Sequence, residues 1–250
     1  MVEPALQAVG LTRRFGGLTA VSDVSLALHV GEVHAVIGTN GAGKSTLVSL
    51  LSGELRADEG RVQLGTHDVT HWPQPRRARA GIGRSYQRST LFGEFSVLEN
   101  CRLSAQAASQ QPWRVWQSAA RSEPGLSIAH EVLAVTGLSH ESHRIAGTLS
   151  HGQKRQLEVA MCLATHPQVL LLDEPLAGMG AEETERMLGL LHRLKPTHAV
   201  LLIEHDMDAV FRVADRITVM VDGKVIASDV PERIRAHPEV LRAYLGEAFT

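Results

Sequence analysis

One stretch decides the fold: Gly38-Thr39-Asn40-Gly41-Ala42-Gly43-Lys44-Ser45. It fits the pattern G-x-x-x-x-G-K-[ST] of a phosphate-binding loop, or P-loop, which needs a strand before it and a helix after it. The apolar run Val33–Ile37 predicts that strand, and the apolar helical pattern from Lys44 to Leu51 predicts that helix. Glycines let the backbone wrap around a phosphate, while N–H groups and the positive end of the helix face it.

Three side chains at the end of this loop have separate predicted tasks. Lys44 bridges the β- and γ-phosphates, Ser45 binds Mg²⁺, and Thr46 reaches the α-phosphate. The other phosphate-binding positions act through the backbone: Gly38, Asn40, Gly41, Ala42 and Gly43. The predicted cofactors are therefore ATP and Mg²⁺.

A second strand ends in two acids, Val169-Leu170-Leu171-Leu172-Asp173-Glu174. Its apolar run predicts a buried strand beside the P-loop strand. Asp173 is then placed to hold Mg²⁺ through water, and Glu174 to orient or deprotonate the attacking water. Many strands end in a surface acid, so this pattern has weight only together with the P-loop.

The rest of the chain predicts an α/β core interrupted by helices. Strands are predicted at Ala5–Val9, Val24–Val30, Arg61–Leu64 and Ala199–Ile203, and a hairpin joins Ile217–Val221 to Lys224–Ala227 through Asp222-Gly223. Residues from about 88 to 165 have helical patterns broken by polar loops at Gln106–Pro112 and Arg121–Gly125, and helical segments follow Pro231 and Pro238.

The motif Leu149-Ser150-His151-Gly152-Gln153 precedes the acidic strand. Ser150 and Gln153 have the spacing of a capping box at a helix N-terminus, and such an N-terminus can bind an anion. In isolation an ordinary capped helix explains the pattern equally well. Its place shortly before the strand with two acids favours a role at the nucleotide.

Composition limits the possible partners. The 250 residues carry a formal net charge of -2, which gives no support for a nucleic-acid partner. No apolar run is long enough to span a bilayer and no signal segment precedes the first strand, so a cytoplasmic protein is expected. The two cysteines, Cys101 and Cys162, are expected to be small buried side chains in a reducing compartment.

Together these motifs resemble the ATP-binding-cassette (ABC) nucleotide-binding domain over the whole chain. The resemblance implies a P-loop NTPase (RecA-like) core with an antiparallel β subdomain and an inserted α-helical signature subdomain. It implies one domain over 1–250, with the core at 1–87 and 166–230, the helical subdomain at 88–165 and a C-terminal helical extension at 231–250.

The resemblance also implies roles for individual residues. In that family the signature of one subunit closes over ATP held by the P-loop of another, so Ser150, Gly152 and Gln153 are expected to contact the γ-phosphate in trans. Phe15 matches the aromatic residue that stacks on adenine, although a plain core Phe is an alternative. Gln87 matches the residue that reaches Mg²⁺ and the attacking water, and His205 matches the switch histidine at the γ-phosphate.

Longer stretches resemble one subfamily, the ATP-binding subunits of high-affinity branched-chain amino-acid importers. They are Leu11–Leu18, Gly81–Gln87, Leu170–Met179, Leu202–Met207 and Arg242–Glu247. The implied partners are a second ATP-binding subunit in a homodimer or heterodimer, two membrane permease subunits, and indirectly a periplasmic or extracellular solute-binding protein. The implied location is peripheral, on the inner face of the cell membrane.

The chain departs from the pattern of this subfamily at three positions. His151 replaces a signature residue that is usually Gly or aromatic, and we expect its imidazole to hydrogen-bond at the subunit interface. Gly180 replaces an Asp or Asn that contacts the other subunit. Thr39 replaces a common Pro in the P-loop and leaves every phosphate-binding residue in place.

Other functions with a P-loop fit less well. A lipopolysaccharide-type exporter ATPase shares the Tyr-Leu-Gly-Glu ending, and a urea or amide importer ATPase shares most of the importer pattern. Soluble ABC proteins of DNA repair or translation usually have a coiled coil or two cassettes, which 250 residues do not hold. The signature motif argues against a small-molecule kinase.

Five large apolar residues lie within eight positions of the segment between the core and the helices: Leu91, Phe92, Phe95, Val97 and Leu98. They have neither a helical nor a strand period, and a short loop has no need to bury all of them. We expect some to form an exposed patch. In ABC proteins this region receives a short helix of the membrane subunit.

Overall fold

The computed structural model describes residues 3–86, 90–109 and 123–245. Within these residues it has ten strands, namely β1 Leu6–Phe15, β2 Leu18–Leu28, β3 Val33–Gly38, β4 Glu59–Leu64, β5 His67–Asp68, β6 Ile82–Arg84, β7 Val169–Asp173, β8 Ala199–Ile203, β9 Arg216–Val221 and β10 Lys224–Asp229. The helices in the same residues are α1 Lys44–Ser52, α2 Gln74–Arg79, α3 Val97–Ser109, α4 Glu123–Thr136, α5 His151–Leu163, α6 Ala181–Leu194, α7 Met207–Val213, α8 Pro231–Arg235 and α9 Pro238–Leu245. The predicted α/β fold is confirmed.

The larger sheet positions the predicted nucleotide site. Its order is β10-β9-β3-β8-β7-β6, and every pair from β9 to β6 is parallel. β10 returns antiparallel to β9, and φ is positive at both Asp222 (48°) and Gly223 (77°), so the predicted hairpin is confirmed with a tight turn of the primed kind. The carboxyl ends of β3, β8 and β7 therefore meet at one edge.

The smaller sheet is antiparallel, with the order β2-β1-β4-β5. β1 continues to Phe15, six residues beyond the predicted end at Val9. The register of β1 shifts between Ala8 and Leu11, with Gly10 at a φ of 63°. This irregularity interrupts the alternation of apolar and polar residues, and for that reason the pattern alone ended the strand early.

The core lies on both faces of the large sheet. Along β7, Val169 and Leu171 pack with α1 and the smaller sheet, whereas Leu170 and Leu172 pack with the helices on the opposite face. All five residues of β7 are buried, as expected for a parallel strand covered on both sides. In the described part of the chain, no helix has the length and apolar character needed to cross a bilayer.

Two segments that the sequence predicts to be loops are helical in their described part. Residues 106–109 belong to α3 and residues 123–125 belong to α4, although both stretches were predicted to be loop. The two helices pack against each other and bury Ala105 and Ala129, so tertiary packing carries both beyond the apolar pattern of their own sequence. The remaining positions of the two predicted loops, 110–112 and 121–122, lie outside the described residues.

A buried arginine holds the far end of the P-loop helix. Arg77 of α2 donates to the carbonyl oxygens of Leu50 at 2.7 Å and Leu51 at 2.8 Å, in the last turn of α1. It also donates to the carbonyl oxygens of Thr70 at 2.9 Å and Trp72 at 3.2 Å. Burial lowers the pKa of Arg77 to about 10, so the guanidinium stays charged at neutral pH and neutralises the negative end of the helix.

His34 on β3 is buried between the two sheets. Its Nδ1 lies 3.2 Å from the carbonyl oxygen of Ala27, and its Nε2 lies 2.7 Å from Oγ1 of Thr218. A neutral ring satisfies both contacts by donating from Nδ1 and accepting at Nε2. Burial is the main reason that the pKa of His34 falls to about 4; the hydrogen bond to Ala27 raises it, and nearby Arg216 and His29 lower it.

We predict that His34 makes the protein lose stability on acidification. A folded-state pKa near 4, below the ordinary 6.5, means that the contribution is complete above pH 6.5 and is lost as pH falls toward 4. Urea unfolding should show that this loss, on the order of 3 kcal/mol, is missing in His34→Gln. The exposed His192→Gln is the control, and parallel pH profiles of wild type and His34→Gln would contradict the prediction.

Candidate nucleotide-binding site

The P-loop is held tightly under the smaller sheet. Gly43 has a φ of 94°, and a Cβ at this position would lie 2.1 Å from the carbonyl oxygen of Ala20 on β2. No side chain caps the N-terminus of α1, which begins at Lys44. The first N–H groups of α1 therefore remain available for an external anion.

Lys44 is buried within the loop that precedes it. Its Nζ donates to the carbonyl oxygens of Gly38 at 2.7 Å and Thr39 at 2.9 Å. The ammonium group thus lies across the mouth of the loop. A phosphate bound there would meet this cation together with the backbone N–H groups.

A cleft of about 640 Å³ opens over the P-loop. The structure brings three predicted groups together in its wall, because the aromatic ring of Phe15, the loop itself and Glu174 all contribute. The lining residues are Phe15, Leu18, Thr19, Ala20, Asn40, Gly41, Ala42, Gly43, Lys44, Ser45, Thr46, Glu174 and Asp222. Phe15 is 43% exposed, and the guanidinium of Arg13 lies 4.8 Å from the centroid of its ring, so the alternative of a plain core Phe is wrong.

Asp173 ends β7 as a buried carboxylate. Its backbone N–H donates to Oγ of Ser85 at 3.2 Å, while Oδ1 is buried and has no hydrogen-bond partner among the described residues. Burial is the main cause that raises the pKa of Asp173, and the charge of the neighbouring Glu174 also raises it. A hard divalent cation prefers oxygen ligands and would compensate this carboxylate, so the residues present fit Mg²⁺.

Glu174 follows directly in a conformation that is rare for a residue with a side chain. Its φ is 51°, and its N–H donates to the carbonyl oxygen of Ile203 at 2.9 Å. That bond continues the pairing of β7 with β8 by one residue. The left-handed backbone turns Glu174 into the wall of the cleft over the P-loop.

Glu204, a buried carboxylate directly after β8, is a functional residue that the sequence patterns did not single out. It is 1% exposed; Oε1 accepts the N–H of Leu176 at 2.8 Å, and Oε2 accepts the N–H of His205 at 3.3 Å. Burial raises its pKa to about 7 despite these two donors and despite His205, whose Nδ1 lies 3.9 Å away. The position of Glu204 between a buried strand and His205 was the available signal.

The predicted capping box at the signature motif is confirmed. Oγ of Ser150 accepts the N–H of Gln153 at 3.2 Å, and Oε1 of Gln153 accepts the N–H of Ser150 at 3.0 Å. His151 contacts its own chain, with Nε2 2.9 Å from the carbonyl oxygen of Ala177. None of these residues lines the cleft at the P-loop, and neither does the exposed His205. Gln87 lies outside the described residues.

Comparison with known proteins agrees with this geometry. The profile of the ABC transporter family matches residues 21–177, and a profile described as branched-chain amino acid ATP-binding cassette transporter matches residues 224–250. The chain therefore belongs to the ABC transporter family. It is an ATP-binding cassette of the P-loop NTPase fold, with the ATPase activity of that family.

Two curated relatives extend over nearly the whole chain. The high-affinity branched-chain amino acid transport ATP-binding protein BraF of Pseudomonas aeruginosa is 38% identical over 255 residues, covering 99% of this chain and 100% of BraF. LivG of Escherichia coli K12, with the same description, is 39% identical over 258 residues, covering 99% and 100%. Among solved structures, the ADP conformation of the ABC cassette MJ1267 superposes with a TM-score of 0.88 at 31% identity, covering 98% of this chain and all of that one.

We predict that Glu204 makes the protein lose stability as pH rises. Its folded-state pKa of about 7 lies above the ordinary 4.5, so its contribution is complete below pH 4.5 and is lost as pH rises through 7. Relative to Glu204→Gln, the unfolding free energy of wild type should fall by on the order of 3 kcal/mol across that window. Urea unfolding at several pH values measures it, with the exposed Glu182→Gln as control. A constant difference between wild type and Glu204→Gln would show that Glu204 titrates normally.

Proposed function

We propose that the chain is the ATP-binding subunit of an importer. It hydrolyses ATP at a dimer interface to drive uptake of branched-chain amino acids or related small polar solutes through separate membrane subunits. The observation that carries this proposal is the full-length similarity to BraF and LivG, both described as branched-chain amino acid transport proteins. The match of residues 224–250 adds support from a part of the chain outside the P-loop and the acidic strand.

The lining of the cleft supports the following binding roles. Phe15 stacks on adenine, and the P-loop from Gly38 to Thr46 holds the phosphates, with Lys44 at the β- and γ-phosphates. Asp173, Ser45 and Gln87 would hold Mg²⁺, and the unpartnered Oδ1 of Asp173 supports that role. Mg²⁺ supplies neutralisation of the charge on the phosphate oxygens.

The catalytic roles belong to the edge where β7 and β8 end. Glu174 orients or deprotonates the attacking water, and its place in the wall of the cleft supports this role. His205 contacts the γ-phosphate, and Glu204 fixes the backbone of His205 and of Leu176, two residues beyond Glu174. The side chain of His205 is 63% exposed, so its imidazole is able to turn toward a phosphate.

The signature motif completes a second copy of the site. Ser150, Gly152 and Gln153 lie outside the cleft of their own chain, which supports a contact in trans with ATP held by a second ATP-binding subunit. That second subunit is either identical or homologous. Gly180, which caps α6 and has no side chain, contributes only its backbone to such an interface.

The domain limits are proposed in the same way. We assign 1–87 and 166–230 to the core, 88–165 to the helical signature subdomain, and 231–250 to a C-terminal extension. The helices α3, α4 and α5 follow β6 and precede β7 in the sequence, and they pack against one another. This packing supports the helical subdomain as a unit.

An exposed aromatic pair is the proposed contact with the membrane subunits. The rings of Phe92 and Phe95 stack at 5.7 Å and are 51% and 44% exposed, whereas Val97 is buried and Leu91 and Leu98 are partly buried. A stacked aromatic pair at the surface suits a short helix of a permease. Two permeases, which receive solute from a separate binding protein, would hold the chain at the inner face of the membrane.

The first test of the proposal is Glu174→Gln. Gln keeps the size of Glu and loses the charge that acts on water, so ATP should bind while hydrolysis falls by roughly 10²-fold or more. A closed dimer should then accumulate in size-exclusion chromatography with ATP. Lys44→Ala, which loses the phosphate contact, should not dimerise. Hydrolysis by Glu174→Gln at the wild-type rate would assign the base elsewhere, with His205 the first candidate.

The second test is Phe92→Asp. The backbone of Phe92 is held by the side chain of Asn100, so a polar replacement should leave the loop folded and nucleotide affinity nearly unchanged. Copurification with the permeases and solute uptake should fall at least tenfold, because the charge enters an apolar contact. Val135→Asp, at another exposed apolar position of the same subdomain, is the control. Normal uptake by Phe92→Asp would place the contact elsewhere.

A further inference from the structure

A carboxylate of the same chain is bound at the start of the signature helix. Oε1 of Glu183, in the first turn of α6, accepts a hydrogen bond from Oγ of Ser150 at 2.9 Å. Oε2 of Glu183 lies 3.4 Å from the backbone N of Gly180, which donates to it. Glu183 therefore caps its own helix with one oxygen and contacts the signature motif with the other.

Gly152 makes this approach possible. A Cβ at Gly152 would lie 2.4 Å from Cδ of Glu183 and 2.6 Å from Oε1, closer than any real contact. The carboxylate thus occupies the space directly above the first turn of α5, where backbone N–H groups carry positive partial charge. The hydroxyl of Ser150 and the backbone N–H groups of Gly180 and Gly152 all lower the pKa of Glu183, with the hydroxyl first, so the group is ionised there.

Ser150 has only one proton to donate. Its Oγ accepts the N–H of Gln153, and its single O–H proton goes to Glu183. A γ-phosphate oxygen bound by the signature motif, as in the function proposed above, needs that same proton and the same space over Gly152. Two anions cannot share one hydroxyl proton and one helix end, because they repel each other.

We propose that Glu183 occupies the phosphate position of the signature motif until ATP bound to the partner subunit arrives, and that this ATP must displace it. Glu183 then competes with ATP, because it holds the hydroxyl proton of Ser150 and fills the space over Gly152 that the γ-phosphate needs. The inference rests on the proposed function, since it takes from it that ATP is the group that arrives.

Glu182 and Glu183 provide a matched pair for the test. Glu182 is the preceding residue on α6, is 86% exposed in its side chain and pairs only with Arg186 in the described contacts. Gln at position 183 can still cap Gly180, because Gln serves at the third position of a capping box, but it loses the charge. Glu183→Gln therefore isolates the competition with phosphate from the capping of α6.

The first experiment uses the Glu174→Gln background and measures the ATP concentration that gives half of the closed dimer, by light scattering. Adding Glu183→Gln should lower this concentration by about three- to tenfold, because a neutral group competes with phosphate less well than a charged one. Adding Glu182→Gln should leave it unchanged. If Glu183→Gln matches Glu182→Gln, or needs more ATP, Glu183 does not compete and the proposal is overturned.

A second experiment needs no nucleotide and separates the two proposals. Gly152→Ala should push the Glu183 carboxylate away from Ser150 and Gly180, and the loss of these two hydrogen bonds should lower the Tm of the isolated subunit, although Ala is otherwise the better helix residue. The pair Gly152→Ala and Glu183→Ala should restore the Tm to that of Glu183→Ala alone, whereas Gly152→Ala and Glu182→Ala should not. Loss of this rescue overturns the placement of Glu183. Rescue combined with no ATP-driven dimer in Glu174→Gln would instead reject the function in trans.

Discussion

The parallel pairing of β7, β8 and β3 is the constraint on which the whole site depends. Three strands end at one edge of the sheet. The P-loop after β3, the pair Asp173 and Glu174 at the end of β7, and Glu204 with His205 after β8 therefore lie side by side. The hydrogen bond from Glu174 to Ile203 extends that pairing just past the sheet. A shift of β7 by one residue would put a neighbouring residue in the position of the buried Asp173. It would also turn every side chain of β7 to the opposite face of the sheet.

Two buried titratable groups offset each other from opposite ends of the larger sheet, with His34 near the start of β3 and Glu204 just after β8. His34 favours the folded state at higher pH and Glu204 favours it at lower pH, and their windows overlap between about pH 4.5 and 6.5. Their opposite slopes nearly cancel, so the intact protein should be less sensitive to acid than either group alone implies. Neither ion pairs nor net charge would reveal this balance, because it comes from burial.

Short sequence patterns predicted those parts of the fold and site that are formed by residues close together in the chain. Four such features are the P-loop, the strand ending in Asp173, the hairpin at Asp222-Gly223 and the capping box at Ser150. Each of them is formed by residues that lie within a few positions of one another in the sequence. The missed features join distant residues: β6 is three residues long and exists by pairing with β7, and Arg77 collects carbonyl groups from separate segments. The contact of Ser150 with Glu183 spans 33 residues, and no periodicity encodes it.

The central place of β3 also has a consequence for biosynthesis. Its neighbours on the sheet are β8 and β9, which begin at Ala199 and Arg216, so β3 leaves the ribosome long before either strand exists. At typical translation rates the delay is roughly 10 to 35 s. During that time the apolar strand of the P-loop has no partner on either edge, and the nascent chain is exposed to aggregation and to chaperones. The P-loop follows β3 and lacks its supporting strands for the same time. The nascent chain is therefore not expected to hydrolyse ATP before most of it has been made.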